Sequence, residues 1–202
     1  MKFMNFYKKY EKEILLLLVV SLWVLCYFSI NNFTEGRTTH ILAFGFEKSI
    51  PFIPFFIVFY ILTYITVMIP YFVLRDIQEY RRTVLAYLFV ILVSSIMYII
   101  YPVKTIRPEI SGQGIFLNMV LWVYSIAKPY NLFPSLHISL SAMSALVCLK
   151  HNKIVGYFLI VLLFFISLST LFVKQHYLVD IIFAIILAFL FYYLFLFKKM
   201  VI

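Results

Sequence analysis

The segment IVGYFLIVLLFFISLSTLFV (Ile154–Val173) contains no charged residue. A helix of about 20 apolar residues is the length needed to cross the roughly 30 Å hydrocarbon layer of a bilayer. The rest of the chain has a similar composition: 65% of its 202 residues are hydrophobic, 12% are charged, and the mean hydropathy is +1.04. These values are far from those of water-soluble proteins, so the sequence predicts an integral membrane protein.

The other apolar runs, taken outward from this segment, predict one domain over residues 1–202, an all-α bundle of six transmembrane helices. No internal repeat and no Gly-rich or Pro-rich linker divides the chain. The predicted spans are 14–30, 53–74, 83–101, 135–149, 154–173 and 177–197. We interpret the first span as an uncleaved anchor and not a signal peptide, because no small-residue cleavage site follows it.

The distribution of Lys and Arg predicts that both termini are cytoplasmic, because the side with more basic loop residues normally stays inside. With an inner N-terminus, the inner side holds eleven of the 17 basic residues and the outer side six. The inner residues are Lys2, Lys8, Lys9, Lys12, Arg75, Arg81, Arg82, Lys150, Lys153, Lys198 and Lys199, and the outer ones are Arg37, Lys48, Lys104, Arg107, Lys128 and Lys174. This loop bias accounts for the net charge of +9. We therefore expect the chain to associate with the bilayer, and we expect neither nucleic acid nor an obligatory protein partner.

The loop between the third and fourth predicted spans, residues 102–134, is the most polar stretch of the chain. Within it, IFLNMVLWVYSIA (Ile115–Ala127) is apolar but too short to cross a bilayer, which predicts a short interfacial or re-entrant helix. Such a helix either caps the bundle or forms one wall of a portal for lipid entry. The sequence leaves both possibilities open.

An ionisable pair marks the start of the last predicted span. Asp180 is the one acidic residue inside a predicted span, and it follows His176 by four positions. On a helix this spacing puts both side chains on one face, and a carboxylate within a span normally faces the bundle interior and serves a site. A carboxylate bonded to one ring nitrogen fixes the histidine tautomer and leaves the other nitrogen free to attack. His137 begins the fourth span on the same outer side, so the two imidazoles should lie at similar depth.

Several cations accompany these histidines on the predicted outer side. Lys104 and Arg107 lie in the loop before the fourth span, and Lys174 precedes His176 by two residues. Two histidines, a carboxylate and several cations form a site suited to an anion, and phosphate is the natural candidate because Arg binds its oxygens in bidentate fashion. Ser135 precedes the fourth span and would either cap that helix or donate to a phosphate oxygen.

Three segments also carry a resemblance to a known family. IRP (Ile106–Pro108), FPSLH (Phe133–His137) and STLFVKQHYLVD (Ser169–Asp180) resemble, in order and spacing, the three signature blocks of the type 2 phosphatidic acid phosphatase superfamily. The resemblance covers spans three to six, about half of the chain. It implies a membrane enzyme that cleaves a lipid phosphate or diphosphate at the extracytoplasmic face of the cell membrane.

The family assigns roles to the matching residues. It implies that His176 is the nucleophile and forms a phosphohistidine, that Asp180 orients it, and that His137 protonates the leaving oxygen. The residues expected to bind phosphate are Arg107, Ser135 and Ser169 of the matching blocks, with Lys104 and Lys174 as neighbouring cations. The resemblance implies neither a metal nor another cofactor.

The chain departs from the family pattern at three positions. Ile100 stands where the family has its first Lys, Leu136 replaces the glycine of the second block, and Thr170 replaces the arginine of the third. Lys104 and Lys174 are candidates to replace the two missing cations. Similar substitutions resemble the branch that transfers a phospho-head-group between lipids, such as inositol phosphorylceramide synthases, so the acceptor is either water or a lipid hydroxyl.

Other functions fit the same residues less well. A zinc site formed by His137, His176 and Asp180 is disfavoured because the surrounding cations would repel the ion. A haem site gives no reason for a carboxylate four residues after a histidine. The non-enzymatic alternative is a transporter or proton channel, but such sites normally lie nearer the middle of the bilayer.

Overall fold

A computed structural model describes residues 9–197, and every regular element in that range is a helix. The helices are α1 (Glu11–Phe33), α2 (Ile57–Thr66), α3 (Ile69–Val73), α4 (Ile77–Ile100), α5 (Ile115–Ile126), α6 (Leu136–His151), α7 (Lys153–Phe172) and α8 (Leu178–Tyr192). Short 3₁₀ helices lie at Gly45–Ser49 and Pro54–Phe56, and a π-helical turn, Tyr193–Phe197, continues α8. Lys2, Lys8, Lys198 and Lys199, which entered the prediction of membrane orientation, lie outside the described residues.

Four helices are long and apolar enough to cross a membrane, judged by length and composition: α1, α4, α7 and α8 with its extension to Phe197. They correspond to the first, third, fifth and sixth predicted spans. The prediction of an all-helical fold is confirmed for residues 9–197, and these four helices indicate membrane association.

The second predicted span, residues 53–74, is not one continuous helix. It consists of a 3₁₀ turn, α2 and α3, with a turn at Val67 and Met68 between the two α-helices. Pro70 lies four residues after Thr66 and has no N–H to donate to the Thr66 carbonyl, so the helical hydrogen-bond ladder is interrupted there. Hydropathy alone does not register this break.

The fourth predicted span corresponds to α6, which has 16 residues and is therefore about 24 Å long. Twelve of these residues are buried, and α6 packs most extensively against α7 and α8. Its serines satisfy their hydroxyls inside the bundle: Ser141 bonds Thr66 at 2.8 Å, and Ser144 bonds the Tyr87 hydroxyl at 2.6 Å. The short α6 is thus the central helix of the bundle.

Helices α6 and α7 approach closely after the turn at Asn152, whose side chain caps α7 by accepting from Val155 N at 3.2 Å. Gly156 lies in this first turn of α7. A Cβ atom at position 156 would lie 2.2 Å from Leu149 Cα in α6, which is an impossible backbone contact. The absence of a side chain at Gly156 therefore permits the packing of α7 against the central helix.

We predict that Gly156→Ala lowers the stability of the folded chain, because the two helices must separate to admit the methyl group. Overpacking of this kind costs about 1–3 kcal/mol. The midpoint of thermal unfolding in detergent measures the effect. Gly45→Ala is the matched control, since a Cβ there meets no atom within 4 Å. Equal midpoints for the two variants would refute the close-packing argument.

Candidate functional site

His176 is held by hydrogen bonds at both ring nitrogens. Nδ1 lies 3.3 Å from Asp180 Oδ2, and Nε2 lies 3.0 Å from Ser135 Oγ. The imidazole is 6% exposed, and Asp180 and Ser135 are fully buried. A carboxylate only accepts, so the neutral ring carries its proton on Nδ1 and presents the Nε2 lone pair towards the Ser135 hydroxyl.

The connection between α7 and α8 positions His176. The Thr170 carbonyl accepts from both Gln175 N at 2.8 Å and His176 N at 3.1 Å, and Lys174 adopts a left-handed backbone with φ of 52°. His176 lies before α8, which begins at Leu178, so the explanation of the His176–Asp180 contact by a shared helical face is wrong. The turn brings the two side chains together instead.

Asp180 also fixes the beginnings of two helices. Its Oδ2 accepts from Tyr177 N at 2.8 Å at the start of α8, and its backbone carbonyl accepts from Ser135 N at 3.3 Å at the start of α6. The Tyr98 hydroxyl donates to the Pro134 carbonyl at 2.7 Å and holds the same segment from α4. Ser135 therefore reaches His176 from a backbone that is anchored on two sides.

His137 lies beside His176, with 5.8 Å between the ring centroids. It is 4% exposed, and its Nε2 has no hydrogen-bond partner among residues 9–197. Four aromatic rings from α1 and α2 surround it. They are Tyr60 at 4.6 Å, Tyr64 at 5.9 Å, Trp23 at 6.1 Å and Tyr27 at 6.5 Å between centroids. This packing holds the second imidazole next to the first.

Arg107 reaches the site from the loop before α5. Its Nη1 donates to the Tyr124 carbonyl at 3.1 Å, its Nη2 donates to Gln175 Oε1 at 3.3 Å, and its guanidinium carbon lies 4.1 Å from the centre of the Tyr124 ring. Burial lowers the pKa of Arg107, while Tyr124 and two further tyrosines oppose this effect. The group stays cationic at neutral pH because an arginine begins from a very high pKa.

The other predicted phosphate ligands, Lys174, Ser169 and Lys104, differ in their contacts and burial. Lys174 Nζ donates to the Ile50 carbonyl at 2.5 Å, and Lys174 lines a cavity together with His176. Burial lowers the pKa of Lys174, and Glu47 opposes this shift.

Ser169 is buried, and its hydroxyl donates to Ile166 O at 2.6 Å within α7. Lys104 is half-buried, and its side chain has neither a hydrogen bond nor an ion pair in the part of the chain that the structure describes.

Two cavities of different chemistry border the histidine pair. The cavity beside His176 has a volume of about 380 Å³ and a mostly apolar lining, with the charged residues Glu47, Lys48 and Lys174 in its wall. The cavity beside His137 has a volume of about 40 Å³ and an aromatic and aliphatic lining. Each histidine therefore faces its own cavity.

Glu47 is a buried residue of the site that the sequence did not reveal. It is 5% exposed; its Oε1 accepts from Leu178 N at 2.7 Å and its Oε2 accepts from Phe44 N at 2.6 Å. The carboxylate thereby ties the loop between α1 and α2 to the N-terminus of α8, where the helix dipole also favours an anion. A charge between aromatic residues in FGFEKS was the available signal, but sequence alone does not separate it from an ordinary loop charge.

The fold and the site together define an all-helical protein with membrane-type helices and a buried pair of histidines. No family model matches the chain, and no curated protein and no solved structure matches it either. Within residues 9–197, no group of three or more His, Cys, Asp or Glu side chains is arranged to hold a metal ion.

We predict that Glu47→Ala destabilises the chain, because Leu178 N and Phe44 N both lose a charged acceptor. Hydrogen bonds to charged groups contribute about 1.5–3 kcal/mol each, so the loss of two should lower the free energy of unfolding by about 3–6 kcal/mol. Thermal unfolding in detergent is the measurement. Glu109→Ala, at an exposed glutamate of the loop between α4 and α5, is the control and should leave the midpoint unchanged. A Glu47→Ala midpoint equal to that of the control would contradict the capping role.

Proposed function

We propose that this chain is a membrane enzyme of the type 2 phosphatidic acid phosphatase superfamily that cleaves a lipid phosphate or diphosphate through a phosphohistidine intermediate. The observation that carries the proposal is the His176 imidazole, bonded on one side to Asp180 and on the other to Ser135. The second imidazole, His137, lies 5.8 Å away between centroids. This is the arrangement that a nucleophile with a neighbouring acid requires.

Unpaired buried polar atoms support an anionic substrate. Arg107 Nε, Gln175 Nε2 and His137 Nε2 are all buried without a hydrogen-bond partner in residues 9–197. Buried polar groups are normally paired, and each exception calls for an explanation. The first two are donors, and His137 becomes a donor at Nε2 when this nitrogen carries a proton, so a phosphoryl group with several acceptor oxygens would satisfy all three.

In the first chemical step, His176 Nε2 attacks phosphorus, a P–N bond forms, and the P–O bond to the leaving group breaks. The protonated His137 gives its proton to the leaving oxygen. Asp180 keeps the Nδ1 proton in place and stabilises the positive charge that develops on His176. Arg107 and Lys174 offset the negative charge of the phosphoryl oxygens.

In the second step the phosphohistidine reacts with an acceptor. His137, now neutral, takes a proton from the acceptor oxygen; this oxygen bonds to phosphorus, and the P–N bond breaks to restore His176. Water as acceptor gives a phosphatase, whereas a lipid hydroxyl gives a phosphotransferase. The chemistry at the two histidines is the same in both cases, so the acceptor is decided by experiment.

We propose a membrane placement to match this chemistry. The chain crosses the membrane six times. The four longer helices form the first, third, fifth and sixth crossings, α2 with α3 forms the second, and α6 forms the fourth. Both termini are cytoplasmic, and α5 lies at the outer interface of the cell membrane beside the site. The excess of basic residues in the inner loops supports this orientation, and the apolar lining of the cavity beside His176 supports a substrate with an apolar portion.

We predict that His176→Ala lowers the rate of substrate cleavage at least a thousandfold, while the chain remains folded. The assay incubates purified protein with radiolabelled phosphatidate, phosphatidylglycerol phosphate and a polyprenyl diphosphate, with and without lipid acceptors. His151→Ala, which changes a histidine at the opposite end of α6, is the control and should retain activity.

The products of the same assay distinguish the alternatives. Free phosphate identifies a phosphatase, and a new labelled phospholipid identifies a phosphotransferase. Near-normal turnover by His176→Ala would refute the nucleophile assignment. If no lipid phosphate is cleaved and reconstituted vesicles show flux of protons or solute, the chain is a transporter or channel and the enzymatic proposal fails.

We predict that activity persists in EDTA, because Arg107 and Lys174 supply the positive charge that a divalent ion would otherwise provide. The cleavage rate with the best substrate should change less than twofold after dialysis against the chelator. The control repeats the assay with zinc or magnesium restored. A large loss of activity that either ion reverses would overturn the metal-independent mechanism.

A further inference from the structure

Gln175 has a fixed orientation beside the nucleophile. It is 6% exposed, and its backbone N–H donates to the Thr170 carbonyl at 2.8 Å. Its Oε1 accepts from Arg107 Nη2 at 3.3 Å. A guanidinium has no acceptor atom, so the oxygen of the amide must face Arg107 and the nitrogen must point elsewhere.

The free end of this amide is a buried donor without a partner. Gln175 Nε2 has no hydrogen bond to any residue between 9 and 197, and an unpaired buried donor is unfavourable because it has lost its bonds to water. Arg107 Nε is also buried without a hydrogen-bond partner among these residues, although both terminal nitrogens of the guanidinium donate to protein oxygens. Two adjacent side chains thus retain donors that only an additional acceptor can satisfy.

We propose that Gln175 is itself a phosphate-binding residue: Nε2 donates to a phosphate oxygen of the substrate, while Oε1 holds Arg107 for the same group. This inference rests on the proposed lipid phosphate chemistry and adds a neutral donor to the charged ligands. A neutral amide fits this place because Arg107 and Lys174 already supply positive charge. The competing explanation is that Gln175 only positions Arg107.

The Gln175→Glu variant tests whether the amide donor is needed. It keeps the size of the side chain and keeps an oxygen acceptor for Arg107, but it removes the donor and adds a negative charge. If Gln175 binds phosphate, kcat/KM for the lipid phosphate should fall at least a hundredfold at neutral pH. Wild-type kcat/KM in the variant would overturn the proposal.

A binding measurement tests the same point without turnover. Titration calorimetry with inorganic phosphate should give an affinity at least tenfold weaker for Gln175→Glu than for the wild-type chain. Gln175→Met in an Arg107→Met background separates the two roles and also serves if Gln175→Glu fails to fold. If Gln175 acts only through Arg107, its loss changes nothing in that background, whereas loss of a direct phosphate ligand weakens phosphate binding further, several-fold.

The outcomes also separate this inference from the proposed function. If the wild-type chain cleaves a lipid phosphate and Gln175→Glu is equally active, the assignment of Gln175 is wrong and the enzymatic function stands. If no lipid phosphate is cleaved but phosphate binding depends on Gln175 as described, the binding residue is supported and the enzymatic proposal fails.

Discussion

The hydrogen bonds of Asp180 are the constraint on which the candidate site depends. This carboxylate is fully buried, and its Oδ1 has no hydrogen-bond partner among residues 9–197, so the bonds to Oδ2 and to the backbone carbonyl are the ones that hold it in place. One oxygen accepts from Tyr177 N and from the His176 ring, and the Asp180 carbonyl accepts from Ser135 N. The same residue therefore begins α8, joins it to α6 and sets the tautomer of the histidine, so the geometry of the site follows directly from the packing of these helices.

The extent to which the site could be predicted from sequence differs from residue to residue. Asp180 and His176 stood out because an ionisable group in an apolar segment has few roles other than a site. Glu47 and Glu109 look alike in the sequence. In the structure Glu47 is buried and accepts from two backbone N–H groups, whereas Glu109 is exposed. Gln175 carried no signal, because a neutral amide in a turn is ordinary until its burial and its partner are known.

Some features of the fold could likewise be predicted from the sequence and others could not. Hydropathy located every apolar helix, because burial in lipid and burial in protein demand the same side chains. It could not locate hydrogen bonds: α4 begins at Ile77, well before the apolar run, because Asp76 caps it by accepting from Gln78 N at 2.9 Å. The interruption before Pro70 has the same origin. Sequence therefore predicted which segments are helical better than it predicted where the helices begin and break.

The length of α6 links the fold to the site. A helix in contact with lipid must match the thickness of the apolar layer, but α6 is enclosed by α7, α8 and the helices that precede it, so its length is free to differ. Ser135, which precedes α6, and His137, in its first turn, are both buried. Polar groups at a buried helix start need partners from other segments, and for Ser135 these are Asp180 in α8 and His176 in the loop after α7. The start of this short central helix thus places His137 beside His176 inside the bundle, with 5.8 Å between the ring centroids.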